Sequence, residues 1–118
     1  MANIRRGEIE ASFDGKLYVL CLTLGALAEL EHSFGAEDMV ALTKRFDGGR
    51  LSAPDAIKII GAGLRGGGAE VSDDEVSRMR TGEGAVGFVS IVSRLLSATF
   101  GSDDDRDSGG EGDARGKL

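Results

Sequence analysis

Polar and apolar side chains alternate along residues 7–13, which is the pattern of a half-buried β-strand. Asp14 and Gly15 follow, and this pair favours a two-residue type I′ turn because both central positions need a positive φ. Residues 16–23 are rich in β-forming side chains, so they are predicted to be the returning strand. The pattern therefore predicts an N-terminal β-hairpin.

The two-residue turn also sets the register of the predicted hairpin, because it pairs the residues that flank it. One face of the hairpin then collects the following apolar side chains: Ile9, Ala11, Phe13, Tyr18, Leu20 and Leu22. The other face is polar on the first strand but carries Leu17, Val19 and Cys21 on the returning strand. A hairpin that packs on helices normally turns polar residues outward. These three residues are therefore expected to be covered by another element of the chain or by a subunit or partner, with simple exposure as the third alternative.

Five helices are predicted after the hairpin from apolar stripes at helical spacing and from capping residues. Ser52 is a typical helix N-cap before Pro54, and Ser72 with Glu75 forms a capping box. The predicted helices, with their caps, are residues 23–35, 37–46, 52–66, 72–79 and 84–100. The expected fold class is α+β with helices dominating: one small domain over residues 1–100, in which an N-terminal β-hairpin is followed by about five α-helices.

The last predicted helix, residues 84–100, has an apolar face that is broader than a single core contact needs. At 100° per residue its apolar positions span roughly 200°, whereas a surface helix needs an arc of about 100°. Val89, Leu96 and Phe100 lie on one flank of this arc. Either the helix is central in the core and the other helices cover both flanks, or this flank contacts another subunit.

Length and composition are those of one soluble domain. The chain has 118 residues, of which 41% are hydrophobic and 29% charged, and two folded halves would each bury too little apolar surface. The formal net charge of −6 argues against nucleic-acid binding, which needs a basic surface. No apolar run approaches the ~20 residues of a membrane span, and residues 1–6 lack the apolar core of a signal peptide. A cytoplasmic protein is therefore expected.

Residues 101–118 differ in composition from the rest of the chain. They contain six acidic and three basic side chains and almost no apolar residue. Such a segment cannot bury enough surface to offset the entropy of ordering it, about 1–2 kcal/mol per residue. A disordered acidic C-terminal tail is predicted, with docking or charge screening as the alternative.

Candidate chemistry is sparse along the chain. Cys21 and His32 are the only cysteine and histidine, which is too few for a structural zinc site, and no nucleophile has a suitably spaced base. Residues 66–68 are three glycines, but no lysine followed by serine or threonine completes a phosphate-binding loop. They are interpreted as a helix C-cap and a flexible connection. We expect no catalytic residue, no cofactor, no metal and no enzymatic activity.

Several segments resemble one protein family in the same order along the chain. Residues 6–31 are the most specific, and residues 51–57, residues 63–68 and the helix that Ser72 caps continue the likeness. Over about residues 4–100 the sequence resembles the gene transfer agent and phage tail assembly chaperone family. The acidic tail lies outside this resemblance.

The resemblance implies a non-enzymatic tail assembly chaperone of a phage-like particle. Members of such families bind the tape-measure protein, keep it soluble and help the tail tube assemble around it. This role would place the protein in the cytoplasm of the bacterial host and leave it out of the mature particle. The alternative is a structural tail or head–tail component that is retained in the particle, and a regulatory binding protein of the host is a third class.

A chaperone needs more exposed apolar surface than its own core uses. The expected oligomer or client surface combines six residues of the returning strand and the last helix: Leu17, Val19, Cys21, Val89, Leu96 and Phe100. The expected partners are the tape-measure protein, the tail tube protein and further copies of the chain in a homo-oligomer. Neither nucleic acid nor a membrane is expected as a partner.

Overall fold

The computed structural model describes residue 3, residues 6–47 and residues 51–101, except for the side chain of Asp47. These residues form one antiparallel hairpin and five helices. In chain order the elements are β1 (Glu8–Phe13), β2 (Lys16–Cys21), α1 (Leu24–Phe34), α2 (Met39–Asp47), α3 (Ala53–Gly66), α4 (Asp73–Val76) and α5 (Ala85–Phe100). The predicted fold class and order of elements are confirmed. The predicted acidic tail lies, from residue 102 onward, outside the described residues.

The hairpin forms because its turn adopts the left-handed backbone conformation that a type I′ turn requires. Asp14 has a φ of 54° and Gly15 a φ of 78°. The strands pair antiparallel in the predicted register, in which Ile9 lies opposite Leu20. A shift by one residue would turn every apolar side chain of the inner face toward solvent, so this register is what directs the hairpin to the core.

The capping residues begin the helices as predicted. Thr23 Oγ1 accepts a hydrogen bond from the Ala26 N–H at 3.1 Å, so β2 ends earlier, at Cys21. Ser52 and Ser72 each begin a helix in a reciprocal capping box. The helix that Ser72 caps is α4, which is a single turn and therefore shorter than predicted.

The inner face of the hairpin packs against α3 and α5 in one core. Phe13 is 1% exposed, and its ring centroid lies 5.9 Å from that of Tyr18 and 6.3 Å from that of Phe88 on α5. The largest fully buried side chains come from both strands and from α1, α2, α3 and α5: Phe13, Leu20, Leu30, Leu42, Ile59, Ile60, Leu64 and Leu95. The core therefore joins the hairpin to most of the helices.

Two glycines let the last turn of α3 approach β2 closely. A Cβ atom at Gly67 would overlap the carbonyl oxygen of Val19, and a Cβ atom at Gly66 would overlap that of Cys21. Because hydrogen-bonded and non-hydrogen-bonded pairs alternate from the turn, both carbonyls point away from β1. The end of α3 therefore covers this part of the free edge of β2. Gly67 is the C-cap of α3, as expected, but close packing rather than flexibility explains both glycines.

Arg65 links three segments at the end of α3. Its Nη2 donates to Glu29 Oε1 of α1 at 2.6 Å, and its Nη1 donates to Asp73 Oδ1 of α4 and to the Val71 carbonyl oxygen, both at 3.0 Å. The hydrogen bond with Glu29 is the main reason that the pKa of Arg65 is raised above its usual value. A Cβ atom at Gly61 would overlap the carboxylate of Asp73, so a larger residue there would displace this side chain from the network.

Replacing Arg65 with methionine is expected to lower the free energy of unfolding by about 1–2 kcal/mol, because three hydrogen bonds are lost. The carboxylates of Glu29 and Asp73 are partly exposed and regain water, which limits the loss. Urea unfolding followed by circular dichroism measures the change. Arg78→Met removes an exposed pair with Asp74 and is the matched control, with an expected loss of about 0.5 kcal/mol or less. Equal losses in both variants would contradict a linking role for Arg65.

Candidate assembly surface

Six large apolar side chains are exposed among the described residues, each over 44% to 76% of its surface. They are Leu17, Leu24, Met39, Val40, Val86 and Val89. Four of them form two pairs, one at the start of α2 and one at the start of α5. Single exposed apolar residues are normal on a protein surface, whereas grouped ones indicate contact sites. The starts of α2 and α5 are therefore the strongest candidates for a binding surface.

An apolar groove of about 330 Å³ lies where the starts of α3 and α5 meet α4, and we call it the α3–α5 groove. Its larger lining side chains include Leu51, Ile57, Ile60, Met79, Phe88 and Val89. Ser52 and Ser77 contribute the hydroxyl groups of the lining, and no lining side chain is charged. Such a site suits apolar side chains and offers no group for acid–base catalysis.

α4 is a single turn, so it covers only a small part of the groove between α3 and α5. α4 has four residues, about 6 Å of helix at 1.5 Å per residue, so it covers only one turn of its neighbours. α5 begins after Gly84, which has a φ of 64° and provides no side-chain cap. The first turns of α5 therefore leave Val86 and Val89 uncovered, at 71% and 58% exposure.

α4 and the segment after it contribute three uncharged residues to the groove, Val76, Ser77 and Met79, although the segment as a whole is acidic. Residues 73–84 contain four acidic and two basic side chains. Arg78 pairs with Asp74 at 2.6 Å, while Glu83 forms no ion pair with another described residue. Glu83 lines a separate, polar cavity, and Asp73 and Asp74 are paired with Arg65 and Arg78, so the groove is defined by its apolar lining and not by charge.

A smaller polar cavity of about 220 Å³ separates β1 from the first half of α5. Arg94 on α5 donates from Nη1 to the Glu10 carbonyl oxygen at 3.0 Å, and the Asp14 N–H donates to the Arg80 carbonyl oxygen at 2.9 Å. These two bonds occupy the edge of β1 on either side of Ser12, which lines the cavity. With α3 covering part of the edge of β2, neither edge of the hairpin offers a long free stretch for pairing with another strand.

The three predicted interaction residues of β2 lie on the outer face of the hairpin. Leu17 is 61% exposed, whereas Val19 and Cys21 are half-buried. The last turn of α3 covers the edge of β2 at Val19 and Cys21. Cover from the same chain therefore accounts for part of this face, and Leu17 is left available to a partner.

Cys21 behaves as a small apolar residue on this face. Its Sγ donates a weak hydrogen bond to the Arg6 carbonyl oxygen at 3.6 Å. Burial raises the pKa of the Cys21 thiol, the charge of Glu8 raises it further, and Arg6 lowers it. The thiol therefore stays protonated at neutral pH, which does not suit a nucleophile.

The three predicted interaction residues of α5 do not join those of β2. Val89 lines the α3–α5 groove, whereas Leu96 and Phe100 are half-buried and pack against the core. The inner face of the hairpin contacts α5 through Phe13 and Phe88, so the outer face points away from α5. The structure therefore places the six residues in two separate groups, and their role in binding stays a prediction.

The exposed residues at the start of α2 are missing from the sequence-based candidates. The pattern places Met39 on the buried stripe with Leu42, but Met39 is 44% exposed and Leu42 is fully buried. α2 begins at Met39, two residues later than predicted, with Asp38 Oδ1 accepting a hydrogen bond from the Ala41 N–H at 2.9 Å. Val40 lies about 200° from Leu42 around a helix, so its outward position is recognisable from spacing alone.

No cluster of three or more histidine, cysteine, aspartate or glutamate side chains suited to a metal ion occurs among the described residues. None of their helices combines the length and hydropathy needed to cross a bilayer. The linings of the two cavities contain neither cysteine nor histidine.

A family of known proteins matches the sequence over the whole described domain. The family model, which carries the description "Phage tail tube protein, GTA-gp10", matches residues 6–102. No curated protein and no solved structure matches the chain. The matched region contains the hairpin, the five helices and both exposed pairs of apolar residues.

Proposed function

The chain belongs to the phage tail tube protein family GTA-gp10, and on this premise we propose that it is a structural, non-enzymatic protein of a gene transfer agent tail. In this proposal the protein assembles with copies of itself or with other tail proteins and is retained in the particle. The observation that carries the proposal is the match over residues 6–102, which includes every described strand and helix.

Two expectations from the sequence resemblance are wrong. The resemblance implies an assembly chaperone that stays in the cytoplasm of the host and is absent from the mature particle. The family that the chain matches is instead a tail tube protein, which is a structural component of the particle. The alternative expectation, a structural tail component retained in the particle, is the one that this finding supports.

The surface of the described residues supports an assembling subunit. Apolar pairs at the starts of α2 and α5 lie outside the core and remain exposed. A ring or helical array of identical copies requires each copy to present two different surfaces, one to each neighbour. The chain has two separate apolar sites on one small domain, which is what such an array needs.

The identities of individual partners belong to the proposal as well. A homo-oligomer and a contact with the tape-measure protein are both compatible with a retained tail subunit. Leu17 is exposed on the outer face of the hairpin and belongs neither to the start of α2 nor to the α3–α5 groove. We therefore assign it to a third contact. Cross-linking within purified particles, followed by peptide mass spectrometry, identifies the protein that lies against it.

Mass spectrometry of purified particles is expected to find the protein at a constant ratio to the other tail proteins. A structural subunit stays in the particle because its contacts persist after assembly, whereas a factor that acts only during assembly is released. Deleting the gene is expected to yield particles without complete tails, and supplying the gene in trans is expected to restore them. Intact, active particles that lack the protein would contradict the proposal.

A further inference from the structure

We propose that the end of α3 prevents β2 of one copy from pairing with β2 of a second copy. The inhibiting contact is the close approach of Gly66 and Gly67 to the free edge of β2. When this end of α3 moves away, two copies join their hairpins into one continuous sheet. The inference concerns the free subunit, so it does not depend on the proposed function.

The free edge of β2 carries backbone groups that other described segments do not use. Phe13 and Lys16 flank the two-residue turn as a hydrogen-bonded pair. Counting from that pair, Leu17, Val19 and Cys21 turn their N–H and C=O groups away from β1. No backbone hydrogen bond from another described segment reaches these three residues. Because N–H and C=O groups bond strongly, such an edge is a template for a further strand.

The end of α3 covers this edge through hydrogens on carbon. Gly66 and Gly67 each place an α-hydrogen where a Cβ atom would overlap a carbonyl oxygen of β2. The N–H of Gly67 donates within α3, to the carbonyl oxygens of Gly63 and Leu64. Contacts between Cα–H groups and carbonyl oxygens are weaker than N–H···O hydrogen bonds. A strand from a second copy would therefore satisfy the edge better than the end of α3 does.

The partner strand is β2 of a second copy because the edge of β1 is already in use. The Glu8 N–H donates to the Asn3 carbonyl oxygen at 3.0 Å, and the Glu10 carbonyl oxygen accepts from Arg94 Nη1 at 3.0 Å. Closer to the turn, the Asp14 N–H donates to the segment before α5 at 2.9 Å. Of the two described strands, β2 is therefore the one whose edge is free of such bonds.

β2 can pair with its own copy in an antiparallel register centred on Val19. Leu17 then lies opposite Cys21 of the second copy, and Val19 lies opposite Val19. All three residues turn their backbone groups outward, so each of these pairs can exchange two hydrogen bonds. Residues 17–22 carry no charge, so the register brings no like charges together. The contact has two-fold symmetry and joins two copies.

Arg65 holds the end of α3 against the edge of β2. It precedes Gly66 and bonds to Glu29 of α1 and to Asp73 of α4. These partners lie outside the hairpin, so they fix the end of α3 independently of β2. Loss of the Arg65 network therefore raises the fraction of molecules in which the edge of β2 is open.

Sedimentation equilibrium of the full chain tests the inference. Gly67→Ala is expected to strengthen self-association about tenfold or more, because the displaced end of α3 leaves the edge open in more molecules. Arg65→Met is expected to strengthen it about three- to tenfold without a steric clash at β2. Circular dichroism establishes whether the variants are folded, and Arg65→Met decides alone if Gly67→Ala does not fold.

Proline substitutions on the two strands identify the edge that pairs. Val19→Pro, added to either variant, is expected to remove the gain in association, because the Val19 N–H points to the free edge and not to β1. Ser12→Pro is the matched control on β1, where the Ser12 N–H also points away from the partner strand, and it should leave the gain unchanged. In the associated Arg65→Met chain, amide hydrogen exchange of Val19 and Cys21 should slow, while that of Ser12 stays the same.

Folded variants that associate no more tightly than wild type overturn the inference. A gain that survives Val19→Pro, or one that Ser12→Pro removes, also overturns it, because another surface then joins the copies. Unchanged amide exchange at Val19 and Cys21 in the associated chain has the same meaning. Retention of the protein in particles is measured separately, so the proposed function can stand when this inference fails.

Discussion

Replacing Gly67 with alanine is expected to lower the free energy of unfolding by about 3 kcal/mol, the upper part of the usual range for overpacking. The added Cβ atom would overlap the Val19 carbonyl oxygen and lie 2.8 Å from the Val19 carbonyl carbon and 3.3 Å from the Leu20 Cα. All of these atoms are backbone, so no side-chain rotation relieves the clash. The end of α3 must move away from β2, which opens the core between them.

The backbone conformation of Gly67 makes this test a purely steric one. Its φ of −83° is accessible to alanine, so strain from a left-handed conformation does not contribute. Gly82→Ala is the matched control, because nothing lies within 4 Å of the added Cβ. Its expected effect is within about 0.5 kcal/mol. Urea unfolding that gives Gly67→Ala and Gly82→Ala the same stability would contradict the close approach of α3 to β2.

Replacing Phe13 with alanine is expected to lower the free energy of unfolding by about 3–5 kcal/mol. Phe13 is 1% exposed, and its ring is in contact with those of Tyr18 and Phe88, so truncation loses apolar burial and leaves a cavity between β1 and α5. A small domain of ordinary stability, about 5–15 kcal/mol, would lose a large part of that stability.

Urea and thermal unfolding of the same samples measure the effect of Phe13→Ala. Ser12→Ala is the control, because Ser12 neighbours Phe13 in β1 but is exposed. The urea dependence of the free energy should remain unchanged if the folded state keeps its compactness. A loss below about 1 kcal/mol would mean that the inner face of the hairpin does not pack on α5.

The error in the expected function has a physical cause. Excess apolar surface and a negative net charge favour a protein that binds other chains without precipitating. A chaperone and a structural subunit both need these properties, so neither property distinguishes a transient contact from a permanent one. The family match over residues 6–102 favours the structural subunit, because the matched family is described as a phage tail tube protein.

The candidate surface was only partly predictable from the sequence. The broad apolar face of the last helix includes Val89, which lines the groove, and its role in binding stays a prediction. Leu96 lies on the same flank, but it is half-buried against the core, which depends on where the neighbouring helices pack. At α2, helical spacing alone predicts that Val40 and Leu42 lie on different faces of the helix. The exposure of Met39 depends instead on how α2 packs, because the later residues of the helix make its core contacts.

Local signals in the amino-acid sequence are enough to predict the hairpin, its register and the beginnings of most helices. The turn at Asp14 and Gly15 and the caps at Thr23, Ser52 and Ser72 depend on φ preferences and on hydrogen bonds that span three residues. Such signals are local, and tertiary contacts do not have to be known to recognise them.

Which surfaces stay open, and why α3 ends in glycines, depends on how distant segments pack together. Arg65 bonds to Glu29, which is 36 residues away, and Gly67 packs against Val19, which is 48 residues away. The groove likewise forms where the starts of α3 and α5 meet a single turn of α4. These features depend on distances between segments that are far apart in the chain, and a pattern along one segment carries no information about them.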